Sequence, residues 1–291
     1  MGRRAIVILL IVLALASMHR AATQQDQAMI SRALDKAYVL GTEFLMLLFL
    51  LRVSDASAID RYEIQIYSTE TTPLNKLTLE LHSNTVLNAA GLLAKEELRP
   101  HEIHETLEAT YGLWSHVEIG QYLATAKFID GPYGYAGSRT KIHFGVGDPE
   151  TWFPAFGGNI ELDYMRRQAD DNPLTFEFRP IVEKRFGKLS IIANFAFEKP
   201  LRGPGSHEGI YFAPSGLISY DLLPWITPAI EYYGDIGPVR RPLPTSRQQQ
   251  FVVPAINLNL HPQLEINIGV GIGTTKASNG TFLKSIIGWT F

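Results

Sequence analysis

The 291-residue sequence has no cysteine, little charge of either sign and, beyond its N-terminal region, no long apolar run. Without cysteine there is neither a disulfide scaffold nor a thiolate-ligated metal. Basic and acidic residues nearly balance, 26 against 29, for a net charge of -3. That balance excludes the global basic footprint by which a chain grips nucleic acid through counterion release. Only 19% of residues are charged while 46% are hydrophobic, against roughly 25% charged in ordinary soluble chains. Catalytic signatures are missing too: there is no G-x-S-x-G elbow, P-loop or zinc-protease helix motif. After Ile59 no stretch shows sustained helical periodicity.

The N-terminus carries two leader-like units. Arg3 and Arg4 precede the apolar run Ala5 to Ala16, too short for a bilayer core of about 30 Å and typical of a signal peptide. Met29, Arg32 and Lys36 then precede a second run, Val39 to Leu51, followed by the small residues Ala56, Ser57 and Ala58. Cleavage after Ala58 is expected, because Gly41 and Glu43 interrupt the second run. A true start at Met29, or an anchor formed by the second run, are the alternatives. The chain therefore divides into an export leader at 1–58, a short segment at 59–75 and a β domain at 76–291.

That β domain is almost monotonous. Runs of about ten residues alternate apolar and polar side chains, as half-buried strands do. Leu77, Leu79 and Leu81 alternate with Thr78, Glu80 and His82; Ile160, Leu162 and Tyr164 with Asn159, Glu161 and Asp163; Leu264, Ile266 and Ile268 with Glu265 and Asn267. Connections are alternately short and long, the pattern of antiparallel up-and-down outer-membrane barrels, with Asp148 to Phe156 long where a short one is expected. Counting back from the C-terminus predicts an all-β, antiparallel transmembrane β-barrel of about 12 strands starting at Lys76. Tyr62 to Tyr67 is a thirteenth candidate, which parity pushes outside the wall, as a periplasmic strand or a piece inside the lumen. Pro180, Pro214, Pro228 and Pro254 fall in predicted strands, where proline removes a ladder donor. Bulges, shorter strands or an unclosed sheet would each account for them.

Aromatic residues test the count, since a membrane barrel gathers them in girdles. Trp114, Trp152, Trp225 and Trp289 all fall in or beside connections expected at the rim. The final strand ends in Phe291 with Trp289, Ile287 and Leu283 on one face, which resembles the C-terminal signature of Gram-negative outer-membrane barrels. That resemblance implies recognition of Phe291 by the barrel-assembly machinery and an outer-membrane location amid lipid and lipopolysaccharide. Tyr62 to Tyr67, Leu79 to His82, Tyr111 to Leu123 and Ala277 to Gly280 also resemble a little-characterised group of bacterial outer-membrane proteins often labelled as transporters. The resemblance implies a pore-like role and no catalytic motif.

In a barrel, the polar side of each run points inward. The alternation sends Glu80, Glu108, Glu118, Glu161, Asp163, Glu177, Glu183, Glu231, Asp235 and Glu265 to the lumen, against Arg139, Lys141, Arg179 and Lys284. An acidic lining attracts cations, so the leading expectation is a passive, cation-leaning channel for small solutes, with no cofactor and no metal. The bland alternative is that the inward charges pair and fill a narrow core. An embedded lipase or protease is a second class, but alternation sends Ser83 to the face opposite His82, so no triad forms. His101, Glu102, His104 and Glu105 are expected to be solvated loop charges. A soluble periplasmic sandwich is the third class, which the long side chains of the apolar faces argue against. Arg202, Arg240, Arg241 and Arg247 lie in long loops that would constrict the pore or meet lipopolysaccharide phosphates.

Overall fold

The computed structural model describes residues 61–89, 102–127, 132–278 and 280–291. The leader and its cleavage site, His101 and Asn279 lie outside the described residues. Twelve long antiparallel strands form the wall: β1 (Leu77–Ala89), β2 (Ile103–Trp114), β3 (Val117–Lys127), β4 (Tyr133–Val146), β5 (Ala155–Met165), β6 (Leu174–Phe186), β7 (Leu189–Arg202), β8 (Tyr211–Tyr220), β9 (Ile226–Asp235), β11 (Gln249–Leu258), β12 (Leu264–Gly273) and β13 (Gly280–Thr290). β10 (Gly237–Pro238) is a two-residue piece of the loop after β9 that pairs with the start of β8. Each wall strand pairs with its sequence neighbour, and β1 pairs with β13 to close the cylinder.

Strand alternation sorts the side chains. On β2, Ile103, Leu107, Tyr111 and Leu113 point outward and exposed, while His104, Thr106, Glu108 and Thr110 are buried. The outside is apolar around the wall, and the inside is largely polar with apolar patches. This inverts the pattern of a soluble protein and is the pattern of a barrel whose outer face meets lipid. Trp114, Trp152, Trp225 and Trp289 all lie at the end with the short turns, joined there by Phe156, Phe186, Tyr220 and Phe291. At the opposite end the outward aromatics are tyrosine and phenylalanine, among them Tyr133, Tyr135, Tyr164 and Phe176. The connection 147–154 is at the short-turn end despite its length.

The barrel closes without bending the proline rule, for each strand proline stands where a ladder runs on one side only. Pro180 pairs with Gly158 of β5 while the β6–β7 ladder skips it. Pro254 pairs with Ile230 of β9 where the β11–β12 ladder is interrupted. Pro214 pairs with Phe195 and Pro228 with Ile256, each just beyond an end of the β8–β9 ladder, which runs only from Ser215 to Ser219. The missing N–H of each proline thus removes no bond that the wall makes.

The segment 61–75 is not a wall strand. It runs down the inside of the cylinder from the long-loop end, where Asn84 Nδ2 donates to the Arg61 carbonyl at 3.2 Å, to the short-turn end, where Asn75 N donates to the Gly112 carbonyl at 2.9 Å. There it reverses into β1 through a turn over Pro73 to Lys76, closed by Lys76 N to the Pro73 carbonyl at 2.9 Å. Asn75 occupies the left-handed region, φ 62°, as the third residue of such a turn requires. Gly112 is what allows the close approach: a Cβ there would collide with the carbonyl oxygens of Thr72 and Pro73. Gly112→Val is therefore expected to dislodge this turn while the wall still closes. Limited proteolysis of folded protein checks it, with new cleavage between 70 and 76 expected and an unchanged pattern counting against the contact.

Candidate functional site

The chemistry of the chain is concentrated in the lumen, where charged wall residues and the segment 61–75 hold one another. Every basic residue expected inside meets a carboxylate. Arg139 of β4 donates through Nε to Asp163 of β5 at 2.5 Å and contacts Glu161, while its Nη1 reaches Glu63 of the lumen segment. Lys141 donates to Glu108 Oε1 at 2.8 Å and lies 3.8 Å from Glu118. Arg179 donates to Glu177 at 2.6 Å, and Lys284 to Glu231 at 2.6 Å. Burying so many charges is tolerated because partners and hydrogen bonds replace the lost water.

The segment's backbone bridges to the wall at Leu74 with Gly112 and is otherwise held largely by wall side chains, as buried amides require. Asn194 of β7 bonds both faces of Tyr67, accepting from its N–H at 2.8 Å and donating to its carbonyl at 2.9 Å. Glu183 accepts from the N–H and the hydroxyl of Thr69, each at 2.8 Å. Glu118 accepts from Thr72 N, His143 approaches the Glu70 carbonyl at 3.0 Å, and Lys284 donates to the Ile64 carbonyl at 2.9 Å. The ring of Tyr67 sits between two cations, 4.4 Å from Lys141 Nζ and 5.1 Å from Arg179 Cζ, and its hydroxyl meets that of Tyr122 at 2.9 Å.

The lumen is also divided by polarity. Most of the charged groups belong to β1 to β7, with the Glu231–Lys284 pair joining β9 and β13, whereas β9, β11 and β13 also contribute the apolar cluster of Ala229, Tyr233, Phe251, Val253, Ala255 and Phe282, against which Ile64 packs. The segment matches both sides, presenting Glu63 to Arg139 and Ile64 to the apolar wall.

Among the residues expected to line the lumen, Glu108, Glu118, Glu161, Asp163, Glu177, Arg179, Glu231 and Lys284 are buried inside. Glu80 is half-buried near the short-turn end and Glu265 is exposed there. Asp235 faces in but accepts from the Gly237 N–H at 2.6 Å, fastening the loop after β9. Two expectations are corrected. Glu102 and His104 are not solvated loop charges: β2 begins at Ile103, so both are buried inside, with His104 Nε2 3.4 Å from Glu102 and Glu102 3.9 Å from Arg61. Glu105 alternates outward, where it accepts from the Tyr133 hydroxyl. Glu183 is buried inside as expected, and the residues missed by sequence reasoning are two other anchors of the segment, Asn194 and His143. Their inward register was readable, but what they hold was not.

No family model matches the chain, and no curated protein matches its sequence. Solved structures do resemble it. The COG4313 outer membrane channel from Pseudomonas putida F1 superposes with a TM-score of 0.57 at 11% identity, over 79% of this chain and 100% of that one. A KdgM porin superposes with a TM-score of 0.50 at 9% identity, over 74% of this chain and 99% of that one. At such identities the likeness is one of architecture, and it establishes that this chain adopts the closed antiparallel barrel fold found in outer-membrane channels.

Proposed function

We propose that the protein is a bacterial outer-membrane barrel that passes small solutes passively, through an acidic, cation-leaning lumen obstructed by the segment 61–75. The observation that carries the reading is the pairing of an apolar, aromatic-girdled exterior with a charged interior, on the architecture of known channels. Acidic groups outnumber basic ones on the inner wall, and each basic group is already engaged by a carboxylate. Freed of the segment, Glu183, and Glu118 beside Lys141, would expose further negative charge to the passage, which favours cations over anions.

In this reading the short-turn end faces the periplasm and the long loops face outward. The exposed Arg202, Arg240, Arg241 and Arg247 at the long-loop end suit the phosphates of lipopolysaccharide. Trp114, Trp152, Trp225 and Trp289 anchor the interfacial belt, and Phe291 serves as the assembly signal. An N-terminal signal would direct export.

Planar-bilayer recordings under a potassium chloride gradient test the proposal. Rare, brief steps are expected from the full chain, with a reversal potential on the cation-selective side. Anion preference would overturn the charge argument. The filled lumen favours a second reading, a non-conducting structural barrel, and absence of steps both from the full chain and from a folded chain lacking the segment would decide for it.

A further inference from the structure

One cluster in the lumen is not used to hold the segment. Glu80 and His82 lie two residues apart on the inner face of β1, and Glu80 stands opposite Glu108 of β2 in the ladder. The three side chains converge: His82 Nε2 is 3.3 Å from Glu80 Oε2 and 3.2 Å from Glu108 Oε2, and one donor atom of each residue lies within 4.8 Å of the others. His82 and Glu108 are almost wholly buried, and the Glu80 side chain is only 12% exposed. Even so, Glu80 Oε2 is met only by the His82 ring, at 3.3 Å and outside good hydrogen-bond geometry, and His82 Nδ1 has no hydrogen-bond partner. Two carboxylate oxygens removed from water thus converge on a single imidazole nitrogen, an arrangement that a bound cation would neutralise more fully.

We propose that Glu80, His82 and Glu108 bind one divalent transition cation of the zinc type, with a fourth position open to the lumen. One imidazole and two carboxylates form a three-ligand set suited to zinc and its neighbours. Calcium, which takes six or more oxygens, is poorly served. The surroundings support the ligands. Lys141 holds the far oxygen of Glu108, Oε1, at 2.8 Å and so leaves Oε2 directed at the cluster. Gly288 of β13 keeps space beside Glu80, where a Cβ would come within 2.8 Å of Glu80 Cγ. Glu265, exposed at the short-turn end, adds an acidic group on the approach to Glu80. The proposal concerns binding and stands whether or not the barrel conducts.

The test uses the full barrel, folded in detergent, stripped with a chelator and titrated with cobalt(II) by visible absorption and with zinc(II) by calorimetry. One ion per chain is expected, with cobalt displaced by zinc. Glu80→Gln and His82→Ala should each weaken zinc binding by about tenfold or more, whereas His104→Ala, at another inward imidazole, should leave it unchanged. Heat-modifiable migration on gels verifies that each variant is folded. If the His82 variant does not fold, X-ray absorption on the zinc-loaded natural protein decides, and must show a single imidazole among the ligands. No uptake at millimolar metal, uptake equal in the Glu80→Gln variant, or a zinc shell without imidazole would each overturn the site.

Discussion

Deleting residues 62–72 is expected to convert rare, brief conductance steps into long-lived open ones of larger amplitude, with the barrel itself intact. The wall does not depend on the segment for its ladder, since all twelve strands pair with one another and close through β1 and β13. What the segment supplies is occupancy. Tyr62, Ile64 and Tyr67 are buried in the lumen, and Tyr67 alone stands between Lys141 and Arg179. A twelve-strand cylinder is intermediate between small barrels filled by their own side chains and wide porins with aqueous channels, so a single extended chain decides whether it is passable. Removal also frees Asn194, Glu183 and Glu118 from the backbone they hold. Cation preference should then rise together with conductance. If the deletion variant folds and its recordings match those of the full chain, the segment is not the obstruction.

Lys284→Met is expected to be the most destabilising single substitution in the lumen, at about 3–5 kcal/mol, the range for leaving one member of a buried ion pair alone. Lys284 and Glu231 are each only 2% exposed in their side chains and meet at 2.6 Å. Lys284 Nζ also donates to the Ile64 carbonyl and contacts the Tyr233 hydroxyl at 3.2 Å. Without the ammonium, Glu231 keeps only the Tyr233 hydroxyl at 2.8 Å and Asn267 at 3.2 Å, and the Ile64 carbonyl loses its donor. Denaturant unfolding in lipid vesicles reads the loss. The double variant Lys284→Met with Glu231→Leu should recover most of it, because an apolar pair of similar volume carries no uncompensated charge. Equal instability of the single and double variants would place the cost in packing rather than in charge.

The barrel was legible because its signal is local. Leu77, Leu79 and Leu81 against Thr78, Glu80 and His82 need no knowledge of the rest of the chain, and the same alternation repeats along most wall strands. The strand count followed from that repetition and from the parity of a closed cylinder. The prolines were ambiguous for a related reason: the sequence places Pro180 in a strand, but only the arrangement of β5, β6 and β7 shows that it pairs on one side and faces a gap on the other. Glu102 and His104 were misread because a shift of one or two residues in where β2 begins moves a side chain from loop to lumen.

By itself, then, the sequence determined the fold class, the approximate strand number and the two-faced character of the wall, all consequences of period-two alternation in neighbouring residues. The path of 61–75 through the lumen, the pairing of Arg139 with Glu63, the grip of Asn194 on Tyr67 and the convergence of Glu80, His82 and Glu108 were decided only by the tertiary structure. Those contacts depend on register and closure, which bring together residues up to 220 positions apart, as Ile64 and Lys284 are. Alternation says that a charge points inward; the geometry of the closed cylinder chooses what it meets there.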